Sequence, residues 1–212
     1  MGKKEFINAE QKRAGILNIF SALFCQPEEE LIRNKNTFEA LKLYFETVNP
    51  DCIDSVQRMQ KSTKRYSTQD LLIEYARLFI GPFQVQAPPY SSLYLGDNLI
   101  MSGQTMWVLD FYRKAGLAFD SKIKDLPDHI AIETEFLYYL IYNEINELKT
   151  GNIKSAQKFH VLQVHFINNH YKIWVPIFCE KILEKSTNDF FRALATCFEK
   201  FVRTWVISDY LK

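Results

Sequence analysis

Two groups of residues have types and spacing that could support chemistry. In the first, Asp128 and His129 directly follow Pro127, and Glu133 lies four residues beyond His129. On a helix Glu133 would lie one turn below His129, so this acid and imidazole set could bind or relay a proton. In the structural alternative, Asp128 complements the positive end of a helix and His129 caps or packs. A helix end also disfavours protonation, so we expect a neutral His129 at pH 7.

The second group is aromatic and surrounds a proline-rich stretch. Three prolines interrupt any helix between residues 81 and 102, the longest irregular segment of the chain. Within it, Tyr90 and Tyr94 are predicted to line a groove in which an apolar peptide meets phenolic hydroxyls. Four further apolar residues lie in this loop or in the helix just before it, and they could line the groove or belong to the core: Tyr75, Leu78, Phe79 and Phe83.

Other catalytic patterns are missing from the sequence. His160, His165 and His170 are five residues apart, about 140° around a helix, so they cannot share one metal ion. The chain has no glycine-rich phosphate loop, no nucleophile elbow and no C-x-x-C pair, and we predict neither a metal nor a cofactor. A small helical enzyme that uses Asp128, His129 and Glu133 as acid and base groups is the alternative function.

The composition narrows the classes of partner. The chain has 212 residues with a formal charge of +1, and no cluster of basic residues stands out, which argues against a broad nucleic-acid interface. No apolar run approaches the roughly 20 residues that span a bilayer, and the polar N-terminus does not resemble a secretory signal. Four cysteines far apart in sequence favour reduced core thiols. We therefore expect a cytoplasmic protein without stable membrane insertion.

Helices must position both groups. With only seven glycines the chain has few positions for tight hairpins, and apolar residues repeat at three- and four-residue steps. We predict an all-α fold, a single compact bundle of about nine helices. Its parts are residues 1–119 with the loop 81–102, a hinge at 120–127, and residues 128–212. Two helix starts are predicted, one from a capping box at Ser67 and Asp70 and one with Pro127 as the first helical residue. The predicted C-terminal ends of helices are Gly81, Gly116, Gly151 and Ser208.

Several motifs occur together in order along the chain. They are YARLFIGPFQVQAPPYSSLYL from Tyr75, GQT at 103–105, and DLPDH at 125–129. Together they resemble the TorD/DmsD/NarJ family of redox-enzyme maturation chaperones. WVPIFCEKI from Trp174 and FFRALATCFEKFVRTW ending at Trp205 are similar to that family's last two helices. Asp125 stands where the family usually has glutamate.

The resemblance implies a function and a set of residues. Family members are all-helical chaperones rather than enzymes, and they have no cofactor of their own. They bind the N-terminal signal, often of twin-arginine type, of a molybdopterin oxidoreductase subunit and hold this precursor until its cofactor is inserted. The resemblance also implies a monomer, with a domain-swapped dimer through the 120–127 hinge as a second form. The residues implied for peptide binding are Tyr75, Leu78, Phe79, Tyr90, Tyr94, Asp128 and His129.

Overall fold

The computed structural model describes residues 2–81, 84–96, 99–101, 103–120 and 122–207. Within these ranges the chain is helical, and its only strand-like pairing is one bridge between Tyr90 and His129. The predicted all-α fold is confirmed. The helices are α1 (Lys3–Leu23), α2 (Glu29–Arg33), α3 (Lys35–Val48), α4 (Ile53–Arg65), α5 (Thr68–Tyr75), α6 (Gly103–Lys114), α7 (Ile130–Thr150), α8 (Ile153–Phe166), α9 (Lys172–Lys185) and α10 (Asp189–Arg203).

Two of these helices continue into wider π-turns. A π-turn at Ala76–Ile80 extends α5, and a second at Ile167–Tyr171 joins α8 to α9 without a break. Because α8 and α9 are continuous through this turn, the described residues contain nine separate α-helical segments. The predicted number of about nine is thus confirmed.

Most predicted helix ends follow from local chemistry. Ser67 and Asp70 form the expected capping box at the start of α5. Gly116 and Gly151 have φ angles of 87° and 82°, a left-handed conformation that residues with a Cβ rarely adopt. After Gly116 the chain turns back so that the Leu117 amide donates to the Tyr112 carbonyl at 2.8 Å, closing the last turn of α6.

Two predicted helix boundaries are wrong. Pro127 is not a first helical residue, because α7 begins at Ile130 and His129 is its N-cap in an extended conformation. The segment before α7 stays extended because the Asp128 carbonyl accepts a hydrogen bond from Ser91 rather than starting the helix. At the other end of the chain, α10 ends at Arg203, and the predicted end at Ser208 lies outside the described residues.

The core lies between helices that are distant in sequence. α1 packs against α7, and α4 packs against α10, so residues on both sides of the predicted hinge share one core. Its centre is aromatic, with the Phe20 and Phe198 rings 4.8 Å apart and the Phe24 and Phe198 rings 4.9 Å apart. A domain swap through residues 120–127 would exchange these contacts between two copies, and it stays a prediction.

The four cysteines are free thiols, but they do not all lie in the core. Cys52, Cys179 and Cys197 are buried, whereas Cys25 is exposed, contrary to the expectation of four core thiols. Cys52 and Cys197 are neighbours despite their sequence separation, since each Sγ is 3.7 Å from the other's carbonyl oxygen. Burial raises the pKa of the Cys197 thiol well above its ordinary value, which keeps it protonated.

Candidate functional site

The two sequence groups meet where the loop after α5 lies against the segment before α7. The Ile130 amide donates to the Pro89 carbonyl at 2.8 Å, and the Ser91 amide donates to the Asp128 carbonyl at 3.0 Å. This antiparallel bridge places Tyr90 beside His129, with ring centroids 5.4 Å apart. Backbone hydrogen bonds therefore bring the proline loop and the D-L-P-D-H segment together.

Asp128 anchors this junction from inside the protein. Its side chain has no exposed surface, and its Oδ2 accepts a hydrogen bond from the Ser92 amide at 3.0 Å. Ser92 belongs to a short 3-10 turn, Ser91–Leu93, that carries the loop away from the bridge. The Asp128 carboxylate thus holds the loop in place and does not contact solvent.

His129 also has a local structural role. Its Nδ1 accepts a hydrogen bond from the Ala131 amide at 3.1 Å, which satisfies one of the free amides at the start of α7. Since Nδ1 accepts, the neutral ring has its proton on Nε2, which lies 3.7 Å from Asp125 Oδ2. Burial lowers the pKa of His129, although Asp125 and Asp128 oppose the shift, so the expectation of a neutral imidazole agrees with this direction.

This lowered pKa predicts a pH dependence of stability. Below the ordinary histidine pKa of about 6.5 the unfolded chain binds a proton that the folded chain resists. The free energy of unfolding should therefore fall as the pH decreases from 7 to 5. His129→Asn keeps a good N-cap without a titrating ring, so its free energy of unfolding should fall less between pH 7 and pH 5 than that of the unmodified protein. Urea unfolding at both pH values measures the two differences. Equal slopes for the two proteins would contradict this assignment.

Beside the bridge lies a cavity of about 380 Å³, here called the loop pocket. At its polar edge the Tyr90 hydroxyl donates to Asp125 Oδ1 at 2.8 Å, and His129 and Lys124 lie nearby. Burial and this contact with Asp125 raise the pKa of Tyr90, so the hydroxyl stays protonated. The apolar part of its lining consists of Tyr75, Phe79, Ile80, Pro89, Ile123, Ala131 and Ile132.

Four of the seven residues expected to bind peptide line the loop pocket: Tyr75, Phe79, Tyr90 and His129. The other three are Leu78, Tyr94 and Asp128. Leu78 is fully buried in the core. Tyr94 packs on Trp174 with ring centroids 5.7 Å apart, so it supports the loop from behind. Phe83, also considered for the groove, lies outside the described residues.

Sequence reasoning missed part of this pocket. Ile80 is 61% exposed and Ile123 is 44% exposed, although both line the cavity and are apolar. Ile123 lies in the connector that the sequence predicts only as a hinge. Asp125 belongs to the D-L-P-D-H motif but was not among the residues expected to bind peptide. An isoleucine inside an otherwise polar connector was the available signal, because isoleucine is usually buried or in contact with a partner.

Glu133 does not join Asp128 and His129 in one accessible site. It is completely buried, and its Oε1 lies 2.8 Å from His170 Nε2 while its Oε2 accepts from Trp174 Nε1 at 2.9 Å. Burial raises the pKa of Glu133, and the adjacent His170 opposes the shift. The acid and base set of the alternative enzyme is therefore not assembled around a shared substrate position.

Neither a metal site nor a membrane span emerges from the described ranges. In them, no three His, Cys, Asp or Glu side chains converge as metal ligands, and no helix is long and apolar enough to cross a bilayer. The three spaced histidines have separate surroundings: His170 contacts Glu133, His160 contacts Glu144 at 3.0 Å, and His165 lies beside the ring of Phe111.

The fold is that of a known class of helical proteins. A crystal structure of a putative redox enzyme maturation protein from Archaeoglobus fulgidus matches with a TM-score of 0.59 at 22% identity. The match covers 90% of this chain and 94% of that one. At this identity the similarity establishes the architecture alone.

Sequence comparison establishes the family. Residues 34–180 match the family model described as nitrate reductase delta subunit, and the chain belongs to that family. It is 26% identical over 195 residues to the chaperone protein TorD of Vibrio parahaemolyticus, covering 87% of this chain and 88% of TorD. It is also 28% identical over 137 residues to the perchlorate reductase assembly chaperone protein of Dechloromonas aromatica, covering 61% of this chain and 58% of that protein.

A further relative is named "Probable Tat proofreading chaperone DmsD", from Haemophilus influenzae. It is 27% identical over 144 residues, which cover 68% of this chain and 64% of that protein, slightly less than two thirds of its length. These relatives are chaperones rather than enzymes, which confirms the resemblance stated from the motifs. The family to which this chain belongs is thus similar to proteins named as chaperones.

Proposed function

We propose that this chaperone binds the N-terminal, twin-arginine-type signal of a molybdopterin oxidoreductase subunit in the cytoplasm. It holds that precursor until the cofactor has been inserted, before export or assembly. The observation on which this rests is the loop pocket, where an apolar wall meets the carboxylate of Asp125. A twin-arginine signal combines the same two chemistries, guanidinium groups and an apolar stretch.

Within this proposal the seven residues have two kinds of role. Tyr75, Phe79, Tyr90 and His129 face the peptide as part of the pocket lining, where Tyr75, Phe79 and His129 keep only 7%, 5% and 3% of their surface exposed. Leu78, Tyr94 and Asp128 keep the loop and the end of α5 in position from the buried side. The names of the relatives support the proposal, since one is a Tat proofreading chaperone and another assembles perchlorate reductase.

The proline loop also offers apolar surface outside the cavity. Leu99, Ile100 and Met101 are 63%, 53% and 70% exposed, three successive apolar side chains in contact with solvent. Met101 has a φ angle of 58°, a strained conformation for a residue with a side chain, and such strain is concentrated at functional segments. We propose that these residues contact the apolar stretch of the signal.

A matched pair of substitutions tests the apolar wall. Ile80 lines the loop pocket and is 61% exposed, whereas Ile73 on α5 is 60% exposed and does not line it. Ile80→Ser removes apolar contact with the bound signal and should weaken binding about tenfold. Ile73→Ser should leave the affinity unchanged. Isothermal calorimetry with synthetic N-terminal peptides of molybdoenzymes from the same genome provides the measurement.

Two results would refute the proposal. One is that no such peptide binds the unmodified protein at concentrations up to the millimolar range. Even a releasable peptide complex has a higher affinity than that. The other is equal affinity for the Ile80 and Ile73 variants, since the signal would then lie on a different surface.

A further inference from the structure

A strongly basic surface lies between α4 and α10, and it shares no residue with the loop pocket. It is a cavity of about 610 Å³ with a floor of Leu183 and Ala193. Its basic side chains are Arg58, Lys61, Lys64, Arg65 and Arg192. In sequence these residues look like an ordinary solvated helix face. In the folded protein the four basic residues of α4 form a row beside Arg192 of α10.

The charges of this surface are only partly neutralised. Arg58 pairs with Asp54 at 2.8 Å, and Arg65 pairs with Asp189 at 2.6 Å. Lys61 and Lys64 are exposed, and no carboxylate in the described part of the chain lies within ion-pair distance of either ammonium group. Two cations are thus available to a partner.

The basic surface continues beyond this cavity. Lys64 also lines a neighbouring depression of about 440 Å³, together with Arg33 and Lys35. The guanidinium of Arg33 donates to the carbonyls of Thr63 and Tyr66, which fixes it at the end of α4. The cations therefore form a track along the helix rather than a ring around one point.

The elongated shape of the track favours an extended carboxylate-bearing ligand over a compact phosphate. Arg58 and Arg65 are seven residues apart, about 10 Å along α4. Side chains on one face of an extended peptide recur about every 7 Å, so alternating acidic residues can follow such a row.

We propose that this track, here called the α4 track, docks an acidic segment of a partner protein. Lys61 and Lys64 supply the unpaired charges, and Arg58 and Arg65 exchange their present carboxylate partners for those of the segment. Recognition is electrostatic, so it weakens as salt concentration rises. This binding activity is separate from the proposed binding of a signal at the loop pocket.

The test uses the full-length protein and a fluorescein-labelled peptide of six Glu-Ala repeats, followed by fluorescence anisotropy. The double variant Lys61→Gln/Lys64→Gln should weaken binding about tenfold at low salt. The control is Lys154→Gln/Lys158→Gln, which removes the same charge from two exposed lysines of α8 and should change the affinity less than about twofold. A thermal melt checks that both variants are folded.

Three outcomes would overturn the α4 track as an acidic-segment site. The first is equal weakening by the two double variants, since only net charge would then matter. The second is tighter binding of a heptathymidylate oligonucleotide than of the Glu-Ala peptide, which would indicate a phosphate site. The third is that Lys61→Gln/Lys64→Gln weakens binding of the signal peptide as much as binding of the Glu-Ala peptide, because the track would then belong to the signal site. Undiminished signal binding in this variant supports two separate surfaces.

Discussion

Glu133→Ala is expected to lower the free energy of unfolding by about 3–5 kcal/mol. The substitution leaves His170 Nε2 and Trp174 Nε1 without the carboxylate that both contact in the core. Both rings are fully buried, so water cannot replace the lost hydrogen bonds without opening the structure. Urea unfolding at pH 7, followed by circular dichroism, measures the difference.

The matched control for this prediction is on the same helix. Glu135→Ala makes the same chemical change at an exposed position of α7, and it should cost less than about 0.5 kcal/mol. Glu133→Gln should fall between the two, since an amide oxygen can still accept from Trp174 but the negative charge facing His170 is lost. If Glu133→Ala and Glu135→Ala were equally stable, the buried cluster would not hold α7 to α9.

Asp125→Asn is expected to weaken binding of an Arg-Arg signal peptide about 30-fold, which corresponds to ~2 kcal/mol. The asparagine oxygen can still accept from the Tyr90 hydroxyl, so the pocket keeps its shape while its negative charge is removed. The loss arises because a guanidinium covered by the bound peptide then has no charged partner. Calorimetry with the same peptides as for Ile80 measures the affinity.

Controls on both the protein and the peptide show whether charge is the cause. A peptide with Gln-Gln in place of Arg-Arg should bind Asp125→Asn and the unmodified protein equally. Asp120→Asn, in the same connector but outside the pocket lining, should have no effect. Lys124→Gln removes a cation from the pocket edge and should strengthen Arg-Arg binding by about twofold. An equal loss with both peptides would mean that Asp125 shapes the pocket only.

Local sequence signals predicted the helical architecture well. Gly116 and Gly151 end helices because few other residues adopt their backbone angles, and Ser67 begins α5 through contacts with Asp70 three residues away. These effects act over a few residues, so they can be predicted from the sequence. Pro127 fits a helix start equally well by local rules, but a long-range hydrogen bond between Asp128 and Ser91 moved the start to Ile130.

The site was harder to predict because long-range packing determines which of its residues line the pocket. Asp128 and His129 are adjacent in sequence, yet only His129 lines the loop pocket, and Asp128 is turned inward toward Ser92. Asp125 was assigned to a hinge, since no local pattern connects it to Tyr90, 35 residues earlier. The α4 track was missed for a similar reason, because Arg192 reaches it from another part of the sequence.

The π-turn at Ala76–Ile80 absorbs one extra residue of chain length while keeping the pocket wall in place. Its last hydrogen bond, from the Gly81 amide to the Ala76 carbonyl at 2.7 Å, spans five residues where an α-helix spans four. In genetic terms the turn is equivalent to a one-residue insertion into α5. Deleting one codon before Phe79 would restore α-helical spacing, and because the narrower turn needs one residue fewer, the side chains that follow would keep nearly the same orientation. Phe79 and Ile80 would then stay in the pocket wall.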